Sequence, residues 1–305
     1  MIRDLDGSGN VVETVGLGKR YGSLWALRDC SLQVPRGRVS ALVGPNGSGK
    51  TTLLRLLVGL SSPSSGEARV LGRRPQQSVE FLETVGYLAQ EMPLYKRLSV
   101  ADHLRFGASL NPRWDAAAAR TRLTDLRIPF DRPVSTLSGG QRAQVALGLA
   151  LAKRPQVLLL DEPVAALDPL ARRAFLASLS EAVAAADLSV ILSSHLLHDL
   201  ERVCDHLVLL ASSRVQLCGD IDDVVASHRA LVGPRRSEAD IEPSVHVVRA
   251  MQTPRQTRLL ARLDGRVLDP SWEASEVGLE EIVLAYMGQE ELLSAGSLSV
   301  VEGAM

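Results

Sequence analysis

Gly44-Pro45-Asn46-Gly47-Ser48-Gly49-Lys50-Thr51-Thr52 is the stretch that decides the fold. It has the form G-x-x-x-x-G-K-[ST], the pattern of a phosphate-binding loop. Val39-Ser40-Ala41-Leu42-Val43, just before it, reads as a short buried strand. Residues 51–58, just after it, read as a helix with leucines at 53, 54, 56 and 57, closed by Gly59. The glycines let the backbone curl so that successive N–H groups point inward. The helix start adds partial positive charge where a phosphate would sit. Lys50 supplies a full positive charge and Thr51 a hydroxyl suited to Mg²⁺. Gly44, Asn46, Gly47, Ser48, Gly49, Lys50, Thr51 and Thr52 are therefore the expected nucleotide-binding residues.

The rest of the composition narrows the setting. A chain of 305 residues, 46% apolar, can hold one large domain or two ordinary ones with a substantial core. A net charge of −1 gives no broad basic field for wrapping nucleic acid. Cys30, Cys204 and Cys218 form no C-x-x-C pair, which fits a reducing cytoplasm and argues against zinc or a disulfide frame. No apolar run approaches the roughly 20 residues that span a bilayer. Residues 1–10 are polar and acidic, unlike a signal peptide. The expectation is a chain soluble by itself, with any membrane spans supplied by another chain.

Asp4-Leu5-Asp6-Gly7-Ser8-Gly9 imitates the start of an EF-hand loop, but Val15 stands where a bidentate Glu belongs, so a frayed terminus is expected. Residues 11–17 and 31–34 read as edge strands of a small antiparallel sheet, with Tyr21 on a loop between them. A flat ring there could stack on a nucleobase. Residues 68–71 and 85–89 read as short strands, the second ending at Gln90. From Pro93 to about 135 the pattern turns helical, with candidate helices at 102–110 and 115–126, and reads as an inserted subdomain.

Leu137-Ser138-Gly139-Gly140-Gln141 opens the next helix, with Ser138 as N-cap and Gln141 placed for a capping box. Two glycines weaken a helix start, so the backbone is expected to approach something closely there. Val157-Leu158-Leu159-Leu160 reads as a central parallel strand buried on both faces. It delivers Asp161 and Glu162 at its carboxyl end, where open α/β sheets bind ligands. Adjacent carboxylates there are costly unless they meet a metal or do chemistry. Asp168-Pro169 turns the chain into a helix, and a further buried strand at 189–192 leads to Ser193-Ser194-His195. Residues 207–210 and 215–217 read as a closing hairpin. His195, His198 and Glu201 suggest a metal cluster, but their spacing is not H-E-x-x-H. Beyond His228 come a linker at 233–238, short pieces at 244–250 and 258–263, and an amphipathic helix at 279–287.

Together these residues resemble the ATP-binding subunit of an ABC transporter over about residues 11–228. Tyr21 matches the adenine-stacking tyrosine, Gly44 to Thr51 the Walker A loop, and Gln90 the Q-loop glutamine. Leu137 to Gln141 reads LSGGQ, the signature that sets ABC proteins apart from other P-loop ATPases. Val157 to Asp161 matches Walker B, Asp168 the D-loop aspartate and His195 the switch histidine. The resemblance implies an α/β P-loop NTPase of RecA-like type, with a small antiparallel β subdomain and a helical insertion. It divides the chain into an ATPase domain at 1–228, with the insertion at about 93–135, and an accessory segment at 229–305. ATP and Mg²⁺ are the implied ligands. Glu162, His195 and Lys50 are the implied catalytic residues, and Thr51, Gln90 and Asp161 the implied Mg²⁺ ligands, direct or through water. Ser138, Gly139, Gly140 and Gln141 would close on nucleotide held by a second ATPase copy, identical or a paralogue. The implied partner is a membrane permease, which places the chain peripherally on the cytoplasmic face of the membrane.

Some positions depart from the family. Gln144 and Leu149 stand where relatives commonly have Arg, and Val164-Ala165 replaces a frequent Thr-Ser. The tail Leu279-Glu280-Glu281-Ile282-Val283-Leu284-Ala285-Tyr286 resembles the end of subunits that serve ABC-2-type permeases, commonly exporters. The alternative class is a soluble ABC ATPase acting on ribosomes or nucleic acid. Its ribosomal relatives carry two cassettes, its coiled-coil DNA-repair relatives a far longer gap before the signature, and its zinc-bearing repair relatives C-x-x-C pairs. None of these features is present, so nucleic acid is not an expected partner.

Overall fold

The computed structural model describes residues 9–195, 197, 200–236, 241, 244–265 and 269–298, with the side chains of 289–298 outside that description. The EF-hand-like Asp4 to Ser8, His198 of the suggested metal cluster, and Ser237-Glu238 of the expected linker lie outside the described residues. Contacts divide the chain into two units, after Val215. The sequence reading places its boundary after 228.

The first unit opens with β1 (Asn10–Tyr21) and β2 (Leu24–Pro35), an antiparallel pair. β3 (Val39–Val43) and α1 (Lys50–Leu57) flank the glycine-rich loop, and β4 (Ser65–Val70) returns to the first pair. The small sheet has three strands in the order β2-β1-β4, so β1 is its centre. This corrects the expectation of an edge strand: Val12 has both Val34 and Val70 as cross-strand neighbours. Tyr21, expected on a loop, is the last residue of β1 and pairs with Leu24. The residue is 49% exposed.

α2 (Val79–Leu82) and β5 (Val85–Leu88) lead to the helical insertion, α3 (Val100–Leu110) and α4 (Ala116–Asp125). Ser99 and Asp102 form a full capping box on α3, and Asp115 caps α4 by accepting from the Ala118 N–H. Such caps each contribute about 1 kcal/mol. The insertion has its own core, Val100, Leu104, Ala119, Leu123, Ile128 and Val134, which continues onto Val145 and Ala152 of α5 (Gly139–Ala152). The signature helix is thereby packed into the insertion.

β6 (Val157–Leu160), α6 (Pro169–Ala185), β7 (Ser189–Ser194), β8 (His206–Ala211) and β9 (Arg214–Asp220) complete the main sheet. It has six strands in the order β5-β6-β7-β3-β8-β9, with β5, β6, β7, β3 and β8 parallel. Every residue of β3, β6, β7 and β8 is buried, as expected where a sheet is covered on both faces. Ser212 and Ser213 both take left-handed φ, 50° and 60°, the backbone of a tight turn between β8 and β9. Leu42, Leu53, Leu57, Leu159 and Ile191 share one core with Val12, Leu17 and Leu27 of the small sheet.

In the second unit, α7 (Ile221–Ser227) precedes β10 (His228–Pro234), β11 (Val245–Gln252), β12 (Gln256–Leu263), β13 (Glu273–Ser275) and α8 (Leu279–Leu298). The short pieces read from sequence are strands of a four-stranded sheet, ordered β11-β12-β10-β13, over Leu231, Leu259, Ala261 and Trp272. His228 is buried, its Nδ1–H donating to the Val224 carbonyl at 2.7 Å and its Nε2 lying 3.1 Å from the Tyr286 hydroxyl.

Candidate functional site

The chain leaves β3 through Gly44 and enters α1 through Gly49, and both positions demand glycine. Gly44 has φ 159°, and a Cβ there would lie 2.1 Å from the Leu210 carbonyl oxygen. Gly49 has φ 107°, and a Cβ would lie 2.4 Å from the Ala26 carbonyl oxygen. The curled loop brings Lys50, 5% exposed, back across itself. Its Nζ donates to the carbonyls of Gly44 at 2.7 Å and Pro45 at 3.1 Å, and stands 3.3 Å from Glu162 Oε1. The Ser48 hydroxyl is buried beside it without a hydrogen-bond partner among the described residues. A buried hydroxyl left so is costly unless a ligand completes it. The N–H groups at the start of α1 fit an anion in the cleft in front of the loop.

β6 ends at Leu160 and places both carboxylates at the mouth of the sheet. Asp161 is 1% exposed. Its Oδ1 accepts from Thr51 Oγ1 at 3.1 Å and from Ser193 Oγ at 3.0 Å. The Tyr87 hydroxyl stands 3.5 Å from Oδ2, and burial first, then the Asp161 charge, push that phenol up. Glu162 sits in the left-handed region at φ 45°, a conformation that costs energy away from glycine. Its N–H donates to Ser193 Oγ at 2.9 Å, and its Oε2 accepts from His195 Nδ1 at 2.9 Å.

Asn46, Gly47, Gly49, Lys50, Thr51, Thr52, Gln90, Glu162 and His195 all line one cleft of about 460 Å³. Gly44, Ser48 and Asp161 are not among its lining residues. Tyr21 is not among the lining residues either. The paired Thr51 and Asp161 oxygens, with the Gln90 amide in the same cleft, are the hard donors that a divalent cation takes.

The signature residues serve their own helix. Ser138 Oγ accepts from the Gln141 N–H at 3.2 Å, and Gln141 Oε1 accepts from the Ser138 N–H at 3.0 Å. Asp168 caps α6, its Oδ1 accepting from the N–H groups of Leu170 and Ala171 at 3.0 Å each. Neither Ser138, Gly139, Gly140 and Gln141 nor Asp168 lines the cleft.

Sequence reasoning missed Ser193, which ties Asp161 to the Glu162 backbone, and Tyr87. The available signal was the polar ending, Ser193-Ser194-His195, of an otherwise apolar strand. Of the departing pair after Asp161-Glu162-Pro163, Val164 is buried and Ala165 lines the cleft beside Glu162.

A family profile described as "ABC transporter" matches residues 27–165. The chain is 36% identical over 214 residues to the sulfate/thiosulfate import ATP-binding protein CysA of Salmonella typhi, covering 67% of this chain and 59% of that one. It is 39% identical over 199 residues to the molybdenum import ATP-binding protein ModC of Rhodobacter capsulatus, covering 63% and 55%. The chain thus spans less than two thirds of the length of these curated relatives. A solved structure described as the ATP binding subunit of an ABC transporter superposes with a TM-score of 0.63 at 30% identity, over 71% of this chain and 92% of that one.

Proposed function

The chain belongs to the ATP-binding subunits of ABC transporters, and from that membership we propose that it binds and hydrolyses ATP to energise a separate membrane permease. The observation that carries the reading is one carboxylate, Glu162, set between Lys50 and His195 at the mouth of a phosphate-binding loop.

In this reading the loop N–H groups, Ser48 among them, and Lys50 hold the phosphates. Thr51 and Asp161 would hold Mg²⁺, with Gln90 joining directly or through water, and the ion would neutralise charge on the phosphates. Glu162 accepts the proton of the water that attacks the γ-phosphorus as the bond to the leaving ADP oxygen breaks. His195 Nδ1–H fixes the Glu162 carboxylate, leaving its ring to face the γ-phosphate and orient the water. General-base assistance of this kind contributes typically 10²–10⁴-fold in rate. Tyr21 offers its exposed ring to the adenine. We assign 1–228 to the ATPase domain, with the helical insertion at about 93–135, and 229–305 to the accessory segment.

With the Ser138 N–H held by Gln141, the N–H groups of Gly139 and Gly140 at the start of α5 would offer a second anion site on the same chain. One triphosphate for two anion sites is explained by two copies, identical or paralogous, facing head to tail, with Asp168 at their contact. The permease docks beside the segment that follows Gln90. There Tyr95 and Phe106 stand edge to face at 5.8 Å, both exposed, with Leu98 and Leu110 exposed nearby on the same insertion. Among the described residues no helix is long and apolar enough to cross a membrane, which suits a peripheral subunit on the cytoplasmic face. The tail resemblance, now on α8, supports an ABC-2-type permease as the partner class.

The test is a sizing column. Glu162→Gln should run as a dimer with ATP and as a monomer without it, and adding Ser138→Arg should abolish the dimer while single-chain ATP binding survives. An elution position indifferent to ATP and to Ser138→Arg would sink the two-copy reading.

A further inference from the structure

The two glycines of the signature answer to different neighbours. A Cβ built on Gly140 would lie 2.8 Å from the Cβ of Ala171 in α6 of the same chain. A Cβ built on Gly139 meets nothing closer than Leu167 Cδ2 at 3.8 Å, an ordinary contact. Neither glycine needs a left-handed φ. Both occupy the first turn of α5, where alanine is the better helix former. Backbone conformation therefore gives no reason for glycine at either position. Within the chain, packing gives one only at 140.

We propose that Gly140 and Ala171 are a positioning pair that sets where the signature helix starts relative to the Asp168 turn. Ala171 cannot retreat easily, because its N–H is bound by the capping Asp168 carboxylate at 3.0 Å and its methyl has no rotamer to escape into. Carbon atoms pack at about 3.5–4.0 Å, so a methyl at 140 must push the start of α5 off α6 by about 1 Å. That movement carries Ser138 and the N–H groups of Gly139 and Gly140 with it. The proposal rests on the reading that this helix start closes on nucleotide held by a facing copy. A misplacement of 1 Å in such a site costs about 10²-fold in rate.

The experiment is a double-mutant cycle with Gly140→Ala and Ala171→Gly, with Gly139→Ala as the comparison. Gly140→Ala is expected to turn over ATP about a hundredfold more slowly, with single-chain ATP binding kept. It should also melt below the parent, although alanine favours the helix. Ala171→Gly in that background should return both turnover and melting to those of Ala171→Gly alone. Gly139→Ala should lose turnover without a fall in melting temperature, and Ala171→Gly should not rescue it. If Gly140→Ala fails to fold, recovery of folded chain by Ala171→Gly is the expected result. Parental turnover in Gly140→Ala, or a double variant no better than Gly140→Ala, overturns the pair. A parent without ATPase activity overturns the function proposed above, whereas the melting cycle, run without nucleotide, still decides whether the two methyls collide.

Discussion

His195 Nδ1 donates to Glu162 Oε2 across 2.9 Å. The other carboxylate oxygen stands 3.3 Å from Lys50, so neither oxygen is free to swing. Both oxygens thus have a partner on the same chain, and Glu162 takes a left-handed backbone whose N–H donates to Ser193 Oγ. Glu162→Gln keeps the shape of the side chain and removes the base. Turnover should fall by about 10²–10⁴-fold while nucleotide affinity stays near the parental value. ATPase assays beside nucleotide titrations check this, and parental hydrolysis by the variant would remove Glu162 from its role.

Thr51 and Asp161 share a 3.1 Å hydrogen bond at the proposed cation site. Thr51→Ser retains the hydroxyl and should leave the Mg²⁺ dependence of ATP hydrolysis close to parental. Thr51→Ala removes an oxygen donor from the proposed cation site, so half-saturating Mg²⁺ should rise about tenfold or more. A Mg²⁺ titration at fixed ATP separates the variants, and equal curves for Ser and Ala would clear Thr51 of metal binding.

Burial holds the His228 imidazolium form down, below the ordinary 6.5, and the nearby Arg262 charge adds to this. The unfolded chain therefore takes up this proton at a higher pH than the folded chain does. The stability tied to a neutral His228 is fully present above about 6.5 and is lost as pH falls from there toward the lower folded value. In the folded state Nε2 accepts from the Tyr286 hydroxyl, a bond that protonation removes. Denaturant titrations of the parent at pH 7.5 and 5.5 should show an acid loss that is smaller in His228→Gln. The same loss in both chains would rule His228 out as its source.

What was legible in the sequence was local. The loop from Gly44 to Thr52, the capping pattern of Ser138 and Gln141, and the apolar run ending in Asp161-Glu162 each fix their own geometry within a few residues. What was not legible depends on distant partners. β1 is central because β4 pairs with its far edge, and nothing within β1 announces that. Ser193 gains its role from groups 31 and 32 residues away. In the second unit, a register shift between Val247 and Arg249 breaks the two-residue alternation by which a strand is read.

The placement of β3 also governs how the chain emerges from synthesis. Its neighbours are β7 and β8, with Val39 paired to Val190 and Ser40 to His206. At roughly 5–20 residues per second, the strand leading into the phosphate loop waits on the order of ten seconds or more for its first partner. Through that interval both of its edges present unpaired N–H and C=O groups on an apolar ribbon, the feature that seeds aggregation. The cradle leaves the ribosome early and closes only once β7 and β8 have followed, about 150 residues later. Yield in a cell should hinge on whatever shields β3 until β7 arrives.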